Sequence, residues 1–201
     1  DDPLFIGRPG AVGQRYANLA QQKSDWFLML GARMDTGQTA YMHQNLARDA
    51  KKIMVDIDDN EIKKMNTIID VPCACDVGLF VDEMLKQLST KTIESNRWQS
   101  WMDQCHSWKK QYPMVLKHYW DYVDGISVYV LLEVLSDIMK EGDLFIPGSS
   151  GACSEVSMQT FKAKKGIRVF NSEGMGPMGF GISASLGGCV ASNRKRTVCV
   201  D

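Results

Sequence analysis

Several short, unbroken apolar runs, each closed by a glycine or an acid, limit this chain more than anything else in it. Trp26-Phe-Leu-Met-Leu30 stops at Gly31, and Lys52-Ile-Met-Val-Asp-Ile57 carries acids at its carboxyl end. Asp143-Leu-Phe-Ile-Pro147 runs into Gly148, Ile167-Arg-Val-Phe170 stands alone, and Arg196-Thr-Val-Cys-Val-Asp201 ends on an aspartate. The first two runs suit strands buried on both faces of a parallel sheet, and the other three read as further strands. Ile68–Cys75 is a weaker strand, interrupted by Pro72, and reads as an edge.

Helical patterns fill the spaces between these runs. Residues 14–23 place Tyr16, Leu19 and Ala20 on one face, and Tyr41–Ala50 reads as a second helix. Asp76–Leu88 repeats Val77, Phe80, Val81, Met84, Leu85 and Leu88 as a stripe, with Asp76 as N-cap. Trp98, Trp101, Met102, Cys105 and Trp108 recur at helical spacing, the pattern of a packed helix face. Further helices are expected from Ile126 to Gly142, over Ser154–Phe161, and after Gly179. The expected fold is α/β: parallel sheets with flanking helices, in two partial Rossmann-like units joined by a helical linker. Residues 1–88 form the first unit, 89–125 the Trp-rich linker and 126–201 the second.

Composition excludes several classes of function. The chain has 201 residues and a formal net charge of −1, which leaves no electrostatic footprint for nucleic acid or an anionic membrane. No apolar run reaches membrane-spanning length, and no signal-peptide layout opens the chain. Six cysteines, at 73, 75, 105, 153, 189 and 199, sit mostly in apolar segments. They read as buried thiols of a reducing, cytoplasmic compartment. Cys73-x-Cys75 has no second pair, so no metal site is assigned. His43, His106 and His118 lie beside no glycine loop, and no catalytic residue is assigned.

The chemistry lies in two glycine-bearing turns. Glu173-Gly-Met-Gly-Pro-Met-Gly-Phe-Gly181 has glycines at 174, 176, 179 and 181 and leads into a helix rich in small residues. Glycine admits positive φ and lets a ligand approach the main chain, so backbone N–H groups here could meet an anion. A turn that only packs closely would have the same composition. Gly148-Ser-Ser-Gly-Ala152 lies between a strand and a helix, where phosphate binds to amides and hydroxyls. It lacks the lysine of a P-loop, and an ordinary turn would fit it equally well.

Gly176-Pro-Met-Gly-Phe-Gly181 with its small-residue helix resembles the G-x-M-G-x-G/A segment of thiamine-diphosphate (ThDP) enzymes. The resemblance is to acetolactate (acetohydroxyacid) synthase large subunits. It implies ThDP-contacting residues at Ser149, Ser150, Gly151, Ala152, Gly176 and Met178. Gly31-Ala-Arg-Met-Asp35, Asp56-Ile-Asp58 and Cys75-Asp-Val77 are similar to strand ends of that family's central domain, whose groove holds FAD in a structural role. It implies Gly31, Arg33, Asp35, Asp56, Asp58 and Asp76 as a FAD or nucleotide groove. Two departures stand out. Cys153-Ser-Glu155 replaces the usual Gln-His-Gln, and Met34-Asp-Thr-Gly-Gln38 lacks the second arginine after G-A-R.

The resemblance implies a carboligase that decarboxylates pyruvate or another 2-keto acid and passes a two-carbon unit to a second carbonyl. It also implies Mg²⁺, with ligands expected beyond Asp201, and a homo-oligomer. The activating glutamate would stand on a pyrimidine-binding domain outside this chain. On that basis the chain reads as a fragment, inactive alone. Two other readings stay open. One is a different ThDP-dependent lyase or transferase, acting on an oxidised sulfonate or a sugar-linked aldehyde. The other is a non-catalytic nucleotide- or phosphate-binding module.

Overall fold

The computed structural model describes residues 2–94, 96–149, 151–172 and 174–201. It divides into two compact units, residues 3–112 and residues 113–201 together with residue 2. Each is built on a three-stranded, wholly parallel sheet flanked by helices, the architecture expected of alternating runs and stripes.

In the first unit the order runs α1 (Arg15–Lys23), β1 (Trp26–Leu30), α2 (Thr36–Thr39), β2 (Lys51–Asp56) and α3 (Asp59–Lys63). It continues with β3 (Val71–Ala74), α4 (Val77–Leu88) and α5 (Gln99–Gln111). The sheet order is β1-β2-β3, and the edge position of β3 tolerates Pro72. Met29, Met34, Leu46, Met54, Ile62 and Met65 make the core. Helix α5 packs on α1 and holds Trp101 edge-on to Trp108, with ring centres 5.7 Å apart.

Two expectations fail in this unit. Strand β1 is not buried on both faces. Phe27 and Met29 turn to the core, whereas Trp26, Leu28 and Leu30 are exposed, because β1 is an edge and only one of its faces meets the methionine cluster. No continuous helix forms over Tyr41–Ala50. Ala40, Tyr41 and Ala47 adopt positive φ, which breaks any right-handed helix. A single 3₁₀ turn, His43–Asn45, takes its place.

The second unit contains α6 (Val128–Ile138), β4 (Leu144–Pro147), α7 (Gly151–Thr160), β5 (Arg168–Val169), α8 (Phe180–Ala191) and β6 (Thr197–Val200). Its sheet order is β5-β4-β6, so the chain steps from β4 to one side and then crosses back to the other. All of β4 is buried. Phe145 meets Phe161 at 4.2 Å between ring centres, within a cluster that includes Leu132, Leu135 and Met139 of the α6–α7 side. Ile146 reaches Gly188 of α8, where a Cβ would come within 2.9 Å of its Cδ1. Burial of each large side chain in this core contributes roughly 1.5–3 kcal/mol.

Helix α7 begins at Gly151, three residues before the expected start. Gly151 and Ala152 carry no capping side chain, so Ser154, a favoured cap type, looks like the start in sequence. The thiols are also less buried than expected. Cys105 is buried, while the other five free cysteines are partly exposed.

Candidate functional site

In an open parallel sheet, ligands bind beyond the carboxyl ends of the strands, where the strand order reverses. In the second unit that point is the end of β4, followed by Gly148. Three chain segments meet there. Gly148 N–H donates to Val200 O at 2.7 Å, which ties the turn after β4 to β6. Ser149 Oγ donates to Pro177 O at 2.8 Å, which ties the same turn to the glycine loop. Ile182 N–H, in the first turn of α8, lies 3.3 Å from Asp201 Oδ2.

The glycines explain why these segments can approach so closely. A methyl group at Gly148 would overlap the Asp201 carboxylate. One at Gly181 would stand 2.8 Å from Asp201 Oδ2 and 3.0 Å from Gly148 Cα. Gly176 has φ +53, and its Cβ position lies 3.6 Å from Ser149 O. Met175 and Gly176 both donate N–H to Ser172 O, at 3.0 and 3.1 Å, which folds the loop back on itself. Gly179, at φ +79, is the N-cap residue of α8.

The two turns named from the sequence therefore lie side by side at one end of one sheet. Ser149 and Gly176 come together directly, and Gly151 and Ala152 open α7 immediately after them. Ser150 and Glu173 lie outside the described residues. Met178 projects into solvent, 97 % exposed. Sequence reading missed Ser172, whose buried hydroxyl has no partner among the described residues. It also missed the contact of Asp201 with α8. An acid at the tip of a strand was visible, but its partner on another element was not.

Burial, followed by the nearby Asp201 and Cys199, raises the Cys153 thiol above its ordinary value. The Asp201 carboxylate also occupies the α8 N-terminus. Any anion held here would therefore lie toward α7 and Gly176.

The strand ends of the first unit bring a second group together. Gly31, at φ +56, donates N–H to Val55 O at 2.9 Å, and Cys75 N–H donates to Asp56 O at 3.0 Å. Gly31, Asp56 and Asp76 thus share one end of the sheet. Most of the carboxylates there have local work. Asp35 accepts from Gly37 N at 2.9 Å, Asp58 from Asn60 N at 2.9 Å and Asp76 from Leu79 N at 3.2 Å, each capping a helix. Asp56 Oδ1 accepts from Asp58 N at 3.0 Å. Arg33 is largely exposed and pairs with Glu61 at 3.5 Å.

The histidines are engaged locally. His43 Nδ1 accepts from Asn66 N at 3.0 Å, His106 Nε2 lies 3.1 Å from Pro3 O, and His118 stacks edge-on to Tyr119. Among the described residues, no three His, Cys, Asp or Glu side chains gather as a metal site. No helix among them is long and apolar enough to cross a membrane.

Comparison with known proteins points the same way. Residues 1–84 match the family model described as "Thiamine pyrophosphate enzyme, central domain". The acetolactate synthase large subunit of Cyanidium caldarium is 31 % identical over 99 % of this chain and 33 % of its own length. Acetolactate synthase 1, chloroplastic, of Oryza sativa subsp. japonica is 31 % identical over 100 % of this chain and 30 % of its own length. A probable acetolactate synthase large subunit of Methanococcus aeolicus is 29 % identical over 98 % of this chain and 34 % of its own length. The chain spans about a third of the length of the curated relatives it matches.

Proposed function

We propose that this chain, which resembles acetolactate synthase large subunits of the thiamine-diphosphate enzymes from end to end, holds the diphosphate of that cofactor in its second unit. The observation that carries this reading is the junction of the two turns, Ser149 on Pro177 and Gly176 against Ser149, at the switch point of a parallel sheet. The residues present fit a diphosphate. Gly151, Gly174 and Gly179 have positive φ, and nothing lies within 4 Å of their Cβ positions, so a ligand has room to approach the main chain there. Ser149, Ser150, Gly151 and Ala152 would line one side, and Gly176 and Met178 the other, with Mg²⁺ as counter-ion.

When bound, the cofactor supplies the carbanion chemistry for decarboxylating pyruvate or another 2-keto acid and transferring two carbons to a second carbonyl. This chain contributes binding and orientation. Asp201 fixes the start of α8 against the turn after β4, and Ser149 fixes that turn against the glycine loop. The carboligase activity, the 2-keto acid substrate, a pyrimidine-binding domain as partner and a homo-oligomeric state are proposed for the protein at the length of its relatives. The domain limits 1–88, 89–125 and 126–201 and a cytoplasmic location belong to the same proposal.

Calorimetric titration of the protein at the length of its relatives with ThDP and Mg²⁺ tests it. Gly176→Ala places a side chain at φ +53, a strain of roughly 1–2 kcal/mol that the loop would relieve by leaving the binding shape. The expected loss of affinity is on the order of tenfold. Equal affinities for the two proteins, or no heat at all from the wild type, would remove the support for a diphosphate site.

A second ligand, FAD, is favoured by the convergence of Gly31, Asp56 and Asp76 at the strand ends of the first unit. Against it, Arg33 is paired with Glu61. Flavin absorbance in the purified protein decides this question independently of ThDP.

A further inference from the structure

Among the described residues, the buried side-chain polar atoms without a hydrogen-bond partner are Gln21 Nε2, Ser157 Oγ, Thr160 Oγ1 and Ser172 Oγ. Gln21 belongs to α1 in the first unit, and Ser157 and Thr160 sit in the second half of α7, away from its start at Gly151. Ser172 differs in place. It stands just past the last bond that ties β5 to β4, Phe170 N–H to Phe145 O at 3.1 Å. Asn171 Nδ2, next to it, reaches Met158 Sδ of α7 at 3.4 Å. Ser172 therefore lies where the chain leaves the carboxyl end of the sheet, at the base of the glycine loop.

The loop turns back on this residue. Met175 and Gly176 both donate N–H to Ser172 O, at 3.0 and 3.1 Å, and the Cβ position of Gly176 lies 3.6 Å from Ser149 O. Ser172 is thus joined through Gly176 to the turn after β4. Its carbonyl takes two donors while its hydroxyl takes none. A hydroxyl withdrawn from water without a partner destabilises a fold, and native proteins seldom keep one. Alanine at this position would carry no such cost. A polar group that the ligand-free fold leaves unused fits a partner that arrives with a ligand.

We propose that the Ser172 hydroxyl is a further hydrogen-bond donor to the diphosphate, engaged when the turn on Ser172 O opens. The proposal rests on the ThDP reading above. Solvent does not reach Ser172 Oγ while the turn is closed, so opening is required. Opening also releases the N–H groups of Met175 and Gly176, and two amides and a hydroxyl become available together. Gly174, at φ +92, and Gly176, at φ +53, give the loop the backbone freedom for that change. A hydrogen bond to an ionised phosphate oxygen is stronger than one to a neutral carbonyl, which offsets the two bonds lost at Ser172 O. Ser172→Ala removes the unpaired group from the closed turn and a donor from the open one. Both effects favour the closed turn.

Two measurements on Ser172→Ala test the proposal. Thermal unfolding of the ligand-free chain is expected to shift upward by roughly 2–4 °C. Titration calorimetry of the protein at the length of its relatives, with ThDP and Mg²⁺, is expected to show affinity lowered on the order of tenfold. Inorganic pyrophosphate with Mg²⁺ is expected to lose the same factor. A melt that does not rise shows that the hydroxyl already has a partner, a held water included, and overturns the proposal without reference to ThDP. A variant that binds ThDP as tightly as the wild type overturns it too, as does a loss seen with ThDP and absent with pyrophosphate; each of these leaves the ThDP reading intact. A wild type that takes up neither ligand removes that reading and this proposal with it.

Discussion

Two glycines of α8, six residues apart, should respond to the same substitution with opposite signs. Replacing a helical glycine by alanine ordinarily gains roughly 0.5–1 kcal/mol through chain entropy and helix propensity. At Gly187 nothing offsets that gain in the monomer, because the Cβ enters open space. At Gly181 the methyl group meets Asp201 Oδ2 at 2.8 Å and Gly148 Cα at 3.0 Å. The carboxylate can rotate away, but Gly148 is backbone, fixed by its N–H bond to Val200 O, and cannot. Overpacking of this kind costs about 1–3 kcal/mol, so Gly181→Ala should destabilise by a net ~1–2 kcal/mol. Urea unfolding followed by far-ultraviolet circular dichroism, at a concentration where the monomer dominates, gives the two midpoints. Amide exchange in the β4 peptide would show whether the effect is local. For a unit of this size 1 kcal/mol corresponds to a melting shift of about 4–8 °C, so either change is readable. Two shifts of equal sign, or a Gly181→Ala protein at least as stable as the wild type, would refute the close approach of α8, Gly148 and Asp201.

Two further predictions concern titration. The Arg196 guanidinium is hydrogen-bonded to the largely buried Asp143 carboxyl, and with a bond from Lys140 N–H it holds Asp143 below the ordinary carboxylate range. A lowered pKa in the folded state stabilises above the unfolded value, near 4, and that stabilisation is lost as the pH falls through and below it. Asp143→Asn should therefore lower the urea midpoint at pH 7, with the difference from wild type shrinking in acid; a pH-independent difference would contradict the ion pair. Cys153, raised by burial and by Asp201, should react slowly with iodoacetamide at pH 7 and faster above its raised pKa. Rapid, pH-independent labelling of that residue in peptide mapping would contradict the packing at the start of α7.

Much of the architecture was legible in the sequence because parallel α/β folds write their elements as separate signals. Runs such as Trp26–Leu30 and Leu144–Pro147 sit where strands form, and Asp76 and the stripe after it mark a helix start that the structure reproduces. Failures came where local pattern and tertiary setting diverge. Tyr41–Ala50 has a composition compatible with a helix, yet three of the residues from 40 to 47 take positive φ, and nothing in side-chain spacing reports that. The apolar run of β1 suggested cover on both faces, but a run cannot tell an edge strand from a central one. A run of the same kind in β4 is covered throughout, because that strand has a neighbour on either side and helices on both faces.

The candidate site divides along the same line. Glycines at 148, 176 and 181 could be picked out because a backbone that approaches another backbone needs them, and that need is written in the residue itself. What they approach could not be. Asp201 meets Gly148 and Gly181 across gaps of 53 and 20 residues, counted on the printed sequence, and only the crossing from β5 over β4 to β6 makes that encounter. The carboxylates of the first unit show the converse. Asp35, Asp58 and Asp76 stand at strand ends, where a nucleotide's hydroxyls would lie, and each caps the helix that follows. Capping uses one acceptor oxygen of a carboxylate that has two, so a cap is not by itself evidence against a ligand role. The site proposed in the second unit differs in kind, since the donors proposed for it are main-chain amides. Substitutions there should act through backbone shape, which is why Gly176 tests the reading better than any charged residue nearby.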